Sequence, residues 1–275
     1  MQIAIHQPRG DVDSQVAYCK RLGVGNVCLF AAAMPGFKEH GYPDPRRLRE
    51  VIARFDEAGV KVPVMGIGRP TPAAILGKPE ADPETEGLLK TIDSIGSAGV
   101  RAALIYHRAP IGYDGVSDET YWDRIVKHWR TIVDQAERSD VRIANHAFYV
   151  PRTMMVWNAE TILKLIDAVP SPYNGVTYCT KFYMADDDVY STVEKFKGRI
   201  FFSHARDLVR KADPDYWVKY EEVQLGDGDI DWARLFGILD GAGYEGTVAP
   251  EHLGEPRTPG EEPEAVAVQY LKKLL

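Results

Sequence analysis

Four residues in the second half of the chain, His146, Cys179, His204 and Glu251, carry side chains that bind transition metals: two imidazoles, a thiol and a carboxylate. Each closes a short apolar run. If those runs are adjacent strands about 4.8 Å apart, inward side chains at their ends converge on one point and could hold Zn, Fe or Mn. Arg206 lies two residues beyond His204, on the same face of an extended chain. Its planar fork suits a substrate carboxylate or phosphate, and an ion pair with Asp207, Glu251 or a neighbouring carboxylate is the alternative use. His252 follows Glu251, and an imidazole, with its ordinary pKa of about 6.5, can both accept and return a proton. Strand alternation lets only one of Asn145 and His146 face inward. His6, Met65 and His107 also end apolar runs and join the candidates.

The elements that must position these residues read as eight alternating units. Near-continuous apolar runs occupy residues 3–6, 26–30, 62–67, 100–107, 141–148, 175–180, 199–206 and 246–252. Such runs suit a parallel sheet covered on both faces. Amphipathic helical patterns lie at 14–22, 45–58, 84–98, 118–138, 159–168, 188–196, 231–242 and 261–275. A helix-ending glycine recurs in Leu22-Gly23-Val24, Ala58-Gly59-Val60, Ala98-Gly99-Val100 and Ala242-Gly243-Tyr244, where a left-handed residue closes a helix before the next strand. With no linker, the pattern predicts an α/β fold with a single (β/α)8 barrel domain over residues 1–275, close to the length of about 250 typical of such barrels. An open doubly wound sheet is disfavoured because no G-x-G-x-x-G follows the first strand. Chemistry in such barrels sits at the C-terminal ends of the strands. The long connections 30–45 and 207–230 fall there, as a lid or substrate walls.

Composition narrows the partners. The chain has 275 residues, 45% hydrophobic and 27% charged, with a formal charge of −7. That balance gives no electrostatic footprint for nucleic acid or an anionic membrane surface. Three cysteines cannot form a disulfide framework, so a reducing compartment is expected. Cys19 and Cys28 read as small buried hydrophobes. The N-terminus lacks the regions of a signal peptide, and no apolar run approaches the ~18 residues of a membrane span; a cytoplasmic location is expected. Asp186-Asp187-Asp188 reads as a helix N-cap, and Tyr121, Trp122 and Trp129 as packing. There is no phosphate loop, Ser-His-Asp set or nucleophile elbow.

At the same residues the sequence resembles the mannonate dehydratases, within the xylose-isomerase-like TIM barrel group. Asn174-Gly175-Val176-Thr177-Tyr178-Cys179-Thr180 is similar to the family's N-G-L-T-x-C-T. The segment from Arg199 through His204 and Arg206 to Asp207 is similar to R-I-x-F-x-H-x-R-N. Gly226-Asp227-Gly228-Asp229-Ile230-Asp231 resembles the family's glycine- and aspartate-rich stretch, and Ala249-Pro250-Glu251-His252-Leu253-Gly254 its R-P-D-H-G. With His146 and Pro151-Arg152, the resemblance spans roughly residues 141 to 255. It implies a divalent metal, usually manganese (iron, cobalt or zinc as alternatives), held by His146, Cys179, His204 and Glu251. It further implies that His252 serves acid–base chemistry and that Arg206 contacts the sugar acid. Here the acid is Glu251 where the family has Asp, Lys181 stands in place of a glycine, and Ala147-Phe148-Tyr149-Val150-Pro151 replaces P-D-D-P-P. The chain is also shorter than the family norm.

The resulting expectation is a metal-dependent hydro-lyase acting on a sugar acid such as D-mannonate. A proton leaves carbon 2, the β-hydroxyl departs as water, and a 2-keto-3-deoxy acid forms. His252 moves the proton and Arg206 orients the acid, with Arg152, Lys181 and His107 as further substrate contacts. A metal-dependent sugar isomerase or epimerase of the same barrel group is the alternative, and a non-catalytic sugar-binding barrel is the third reading. The expected partner is a small sugar or sugar acid, with no nucleic acid or membrane, and a homo-oligomer is left open.

Overall fold

The apolar runs assemble into a closed parallel barrel in the computed structural model, which describes residues 1–147, 153–185, 188–210 and 220–275. The strands are β1 (Gln2–His6), β2 (Asn26–Phe30), β3 (Lys61–Gly68), β4 (Ala102–Tyr106), β5 (Arg142–His146), β6 (Asn174–Cys179), β7 (Ile200–Ala205), β8 (Asp207–Arg210), β9 (Tyr220–Val223) and β10 (Thr247–Pro250). The barrel runs β1-β10-β7-β6-β5-β4-β3-β2, and β8 and β9 form a separate antiparallel hairpin. The boundaries of the eight barrel strands fall within two residues of the runs read from the sequence. The hairpin lies inside the stretch expected to be loop. Its strands are only four residues each, too short for alternation to show in a sequence.

Strand alternation divides the apolar residues into two cores. One side fills the barrel with small and medium side chains, Ala4, Cys28, Val64, Ala102, Leu104, Ala144 and Ala249, and one large ring, Phe202. The other packs against the helices through residues such as Ile5, Met65, Ile105, Ile143, Tyr178 and Val248. Moving two residues along β1, β5, β7 and β10 from Ala4, Ala144, Phe202 and Ala249 leads to His6, His146, His204 and Glu251. The polar site therefore sits directly on the apolar plug, at the C-terminal mouth of the barrel. Met65 belongs to the outer core, and so faces away from that mouth.

Local chemistry fixes the helices between the strands. Side chains of Asp11, Asp44, Ser117, Asn158, Asp188 and Asp231 accept hydrogen bonds from the first-turn backbone N–H groups of the helices they precede. Asp188 thus caps a helix as the sequence suggested, while Asp186 and Asp187 lie outside the described residues. The four repeated glycines, Gly23, Gly59, Gly99 and Gly243, have φ of 61°, 79°, 88° and 79°, the left-handed turn that ends each helix. Cys19 and Cys28 are buried free thiols, one in each core. Tyr121 and Trp129 are buried in the outer core, with Trp122 partly buried against it. No helix among the described residues is long and apolar enough to cross a membrane.

Candidate metal centre and active site

Register brings the four expected ligands together. Cys179 pairs with His204 across β6 and β7, and Ala249 pairs with His204 across β10 and β7. The Glu251 N–H continues that ladder to the Ala205 carbonyl at 3.0 Å, carrying the carboxylate to the same level. One ligand atom from each of His146, Cys179, His204 and Glu251 lies within 4.8 Å of the others. His146 and His204 have ring centroids 5.1 Å apart, and His6 stands edge-on to His204 at 4.8 Å. Tyr106, which the sequence reading passed over, lies 4.9 Å from the His146 ring; its place at the end of β4 was the available signal.

Asn145 faces the other way. Its Oδ1 accepts from Trp129 Nε1 at 2.7 Å and lies 3.0 Å from His107 Nε2. Its Nδ2 donates to Asn174 Oδ1 at 2.8 Å and to the Gly175 carbonyl at 2.6 Å. His107 stacks on Trp129 with centroids 4.2 Å apart, in the layer between barrel and helices. The expectation that His107 contacts substrate is corrected accordingly. It follows the last inward residue of β4 by one position, so alternation sends it outward.

Electrostatics suit a cation. Burial holds both His146 and His204 well below the ordinary histidine pKa, with neighbouring imidazoles adding to it. Both rings are therefore neutral at pH 7, as metal ligation requires. Burial is the largest single influence on Glu251 and opposes its ionisation, but Arg206 together with His146, His6 and His252 outweighs it and lowers the carboxyl pKa. Burial pushes the Cys179 thiol up to about 11, with Arg206 opposing; a divalent ion would displace that proton. Neither ring nitrogen of His204 has a hydrogen-bond partner among the described residues, although Nδ1 lies 3.3 Å from Glu251 Oε2. A buried polar atom left unpaired costs about 1–3 kcal/mol, and a cation between imidazole, thiolate and carboxylate would satisfy it. The donor set fits a divalent transition metal.

Arg206 is 3% exposed and spans two carboxylates. Its Nη1 donates to Glu251 Oε2 at 3.2 Å and its Nη2 to Glu222 Oε1. The fork expected to clamp substrate is thus engaged within the protein, in the ion-pair arrangement that was the alternative. Only its Nε lacks a hydrogen-bond partner among the described residues. Thr180 Oγ1 accepts from the Arg206 N–H at 2.9 Å and donates to its carbonyl at 2.6 Å, fixing the backbone there. Lys181 is partly buried; burial, with the nearby Arg206 charge, lowers its pKa to about 8. Arg152 lies outside the described residues.

His252 is exposed at the rim, with φ of 51°, a left-handed conformation uncommon outside glycine. Its Nδ1 lies 3.2 Å from Glu222 Oε2. Glu222 was absent from the sequence reading, because its hairpin was. A cavity of about 770 Å³ opens beside these residues, lined by His6, Pro250, Glu251, His252, Tyr18 and Glu264 among others. That volume lies within the range of small-molecule sites.

Residues 11–274 match the family model described as "Xylose isomerase-like TIM barrel". The chain belongs to that family. The mannonate dehydratase of Brachyspira hyodysenteriae is 28% identical over 151 residues, 51% of this chain and 41% of that protein. That of Chromohalobacter salexigens is 32% identical over 154 residues, 54% of this chain and 38% of its own length. The matches thus span about two fifths of these relatives. Among solved structures, the mannonate dehydratase of Streptococcus suis serotype 2 superposes with a TM-score of 0.80. It covers 100% of this chain and 92% of its own, at 18% identity. D-psicose 3-epimerase of Clostridium cellulolyticum H10 gives 0.75 over 99% and 98%, at 16% identity. At such identities the likeness speaks for the fold alone.

Proposed function

We propose that this protein is a divalent-metal-dependent dehydratase of a sugar acid, D-mannonate or a close relative, producing a 2-keto-3-deoxy acid and water. The observation that carries the reading is the convergence of His146, Cys179, His204 and Glu251 at the barrel mouth, within 4.8 Å of one another. Similarity to relatives named mannonate dehydratase supplies the substrate class.

His146, Cys179, His204 and Glu251 would hold the ion, with manganese the first expectation. A divalent ion supplies Lewis acidity that stabilises negative charge on a substrate oxygen. The protein's own residues do the rest. His252 accepts the carbon-2 proton at an imidazole nitrogen, since a neutral ring has one lone pair available. The electron pair left behind forms the carbon 2–carbon 3 double bond as the carbon-3 hydroxyl leaves, taking up a proton to depart as water. The resulting enol becomes the 2-keto acid by proton return to carbon 3. Lys181, whose charge interacts with those of Arg206, Cys179 and Glu251, has no ion pair among the described residues, and it contacts the substrate carboxylate together with the Arg206 Nε. Arg206, with the neighbouring imidazoles, favours the ionised form of Glu251. The apolar plug beneath the site excludes water from below.

The test is a panel of aldonates and uronates, D-mannonate included, incubated with the manganese-loaded chain and assayed for 2-keto-3-deoxy acid by thiobarbiturate colour. Product that disappears on chelation and returns with metal is the expected result. Epimerised or isomerised sugar in its place would assign the isomerase chemistry of the same barrel group. Turnover indifferent to chelation would overturn the mechanism.

A further inference from the structure

Glu222 joins three segments that are far apart in the sequence. It lies in β9, where it pairs with Leu208 of β8, and β8 begins one residue after Arg206. One carboxylate oxygen accepts from Arg206 Nη2 and the other lies 3.2 Å from His252 Nδ1. Arg206 also donates to Glu251 Oε2. A continuous chain therefore runs from the metal-ligand candidate Glu251 through Arg206 and Glu222 to His252. Glu251 and His252 are consecutive residues, yet their side chains sit at opposite ends of it.

The hairpin that presents Glu222 is anchored at its base by Asp207. This fully buried carboxylate accepts hydrogen bonds from the N–H groups of Leu208, Gly226 and Gly228 at 3.0, 2.8 and 3.2 Å, and from Trp232 Nε1 at 2.9 Å. A buried carboxylate with four donors is a rigid fixture. Gly228 is required for it: a Cβ there would fall 2.0 Å from Asp207 Oδ1. At the other end, His252 is held in its left-handed conformation, the kind of backbone strain that persists where surrounding contacts over-determine a site.

We propose that Glu222 is a positioning residue for the dehydration chemistry, holding Arg206 and His252 at once and fixing the imidazole with its proton on Nδ1. A neutral imidazole whose Nδ1–H faces a carboxylate has its lone pair on Nε2. Glu222 thus decides which nitrogen of His252 takes the substrate proton. The role in turnover rests on the dehydratase reading given above; the hold on the imidazole does not.

Glu222→Gln separates this role from that of an incidental surface ion pair. Two donors face Glu222, and an amide offers one acceptor oxygen in place of two, so it cannot serve both. In the metal-loaded full chain, kcat on the aldonate should fall by ~10-fold or more, as for groups that orient a site residue, with KM changed less than about threefold. Glu222→Asp, which keeps two oxygens on a shorter stem, should recover part of that loss. Nitrogen-15 spectra of histidine-labelled protein at alkaline pH, with His252 assigned from His252→Gln, should show the Nδ1–H tautomer in the wild type. Glu222→Gln should shift it towards a mixture. Should Glu222→Gln fail to fold, the same comparison is made with Glu222→Asp. An unchanged tautomer, or a shifted tautomer with unchanged kcat, would overturn the proposal. If the wild type turns over no aldonate, the dehydratase reading fails, and the tautomer spectra still decide whether Glu222 holds His252.

Discussion

Asn145 and His146 are consecutive in β5 and face opposite sides of the barrel wall. Asn145 Oδ1 accepts from Trp129 Nε1 at 2.7 Å in the helix-facing layer, while His146 meets Cys179, His204 and Glu251 inside the mouth. The asparagine ties β5 to β6 through Asn174 Oδ1 and the Gly175 carbonyl. A buried polar network on the outer face thereby fixes the strand whose inner face carries a candidate ligand.

Asn145→Ala removes the partner of two buried donors and two buried acceptors. Unfolding in urea should show a loss of about 3 kcal/mol or more, since unpaired buried groups each carry a desolvation penalty. Asn145→Asp keeps the acceptor for Trp129 but presents an oxygen to Asn174 Oδ1 and the Gly175 carbonyl, and should not restore stability.

Cys179→Ser and Glu251→Gln should each weaken manganese or zinc binding by at least ~10-fold, measured by competition with a chromophoric chelator. Circular dichroism should show both variants folded. Metal bound to Cys179→Ser with wild-type affinity would remove the thiol from the ligand set.

Gly228→Ala drives a methyl group into the Asp207 carboxylate. Thermal and urea unfolding should show a loss of about 2 kcal/mol, typical of forced overpacking. Because Asp207 anchors the hairpin that carries Glu222, kcat on the aldonate should fall as well, with the metal affinity of the four-ligand cluster retained.

His107 gives a pH-dependent stability. Burial lowers its pKa from 6.5 to about 4, against the opposing hydrogen bond to Asn145. The folded chain refuses a proton that the unfolded chain takes up between those values. Its contribution is therefore complete above pH 6.5 and is lost as pH falls towards 4, by about 3 kcal/mol. His107→Phe keeps the stack on Trp129 and removes the titration, so urea unfolding across that window should show a shallower decline than in the wild type.

The barrel was legible because its signals are local. Continuous apolar runs, helix-capping aspartates and four left-handed glycines each act over a few residues, and together they admit little besides alternating strands and helices. The convergence of His146, Cys179, His204 and Glu251 was legible for a related reason: in a parallel barrel, a residue at a strand's C-terminal end is at the mouth whatever the rest of the chain does. Which of two consecutive residues faces inward was not, because His146 and His107 both end apolar runs and only the pairing of β4 with β5, Tyr106 against His146, settles the parity. Nor could the sequence assign Arg206 to Glu251 and Glu222, or find Glu222 at all. Those contacts join residues 16 to 45 positions apart, through a hairpin whose strands are too short to carry a period. The amino-acid sequence determined the architecture and the chemistry of the donor set. The tertiary structure alone decided which face each donor occupies and which charges meet, because register and side-chain partnership are properties of strands brought together and of no strand by itself.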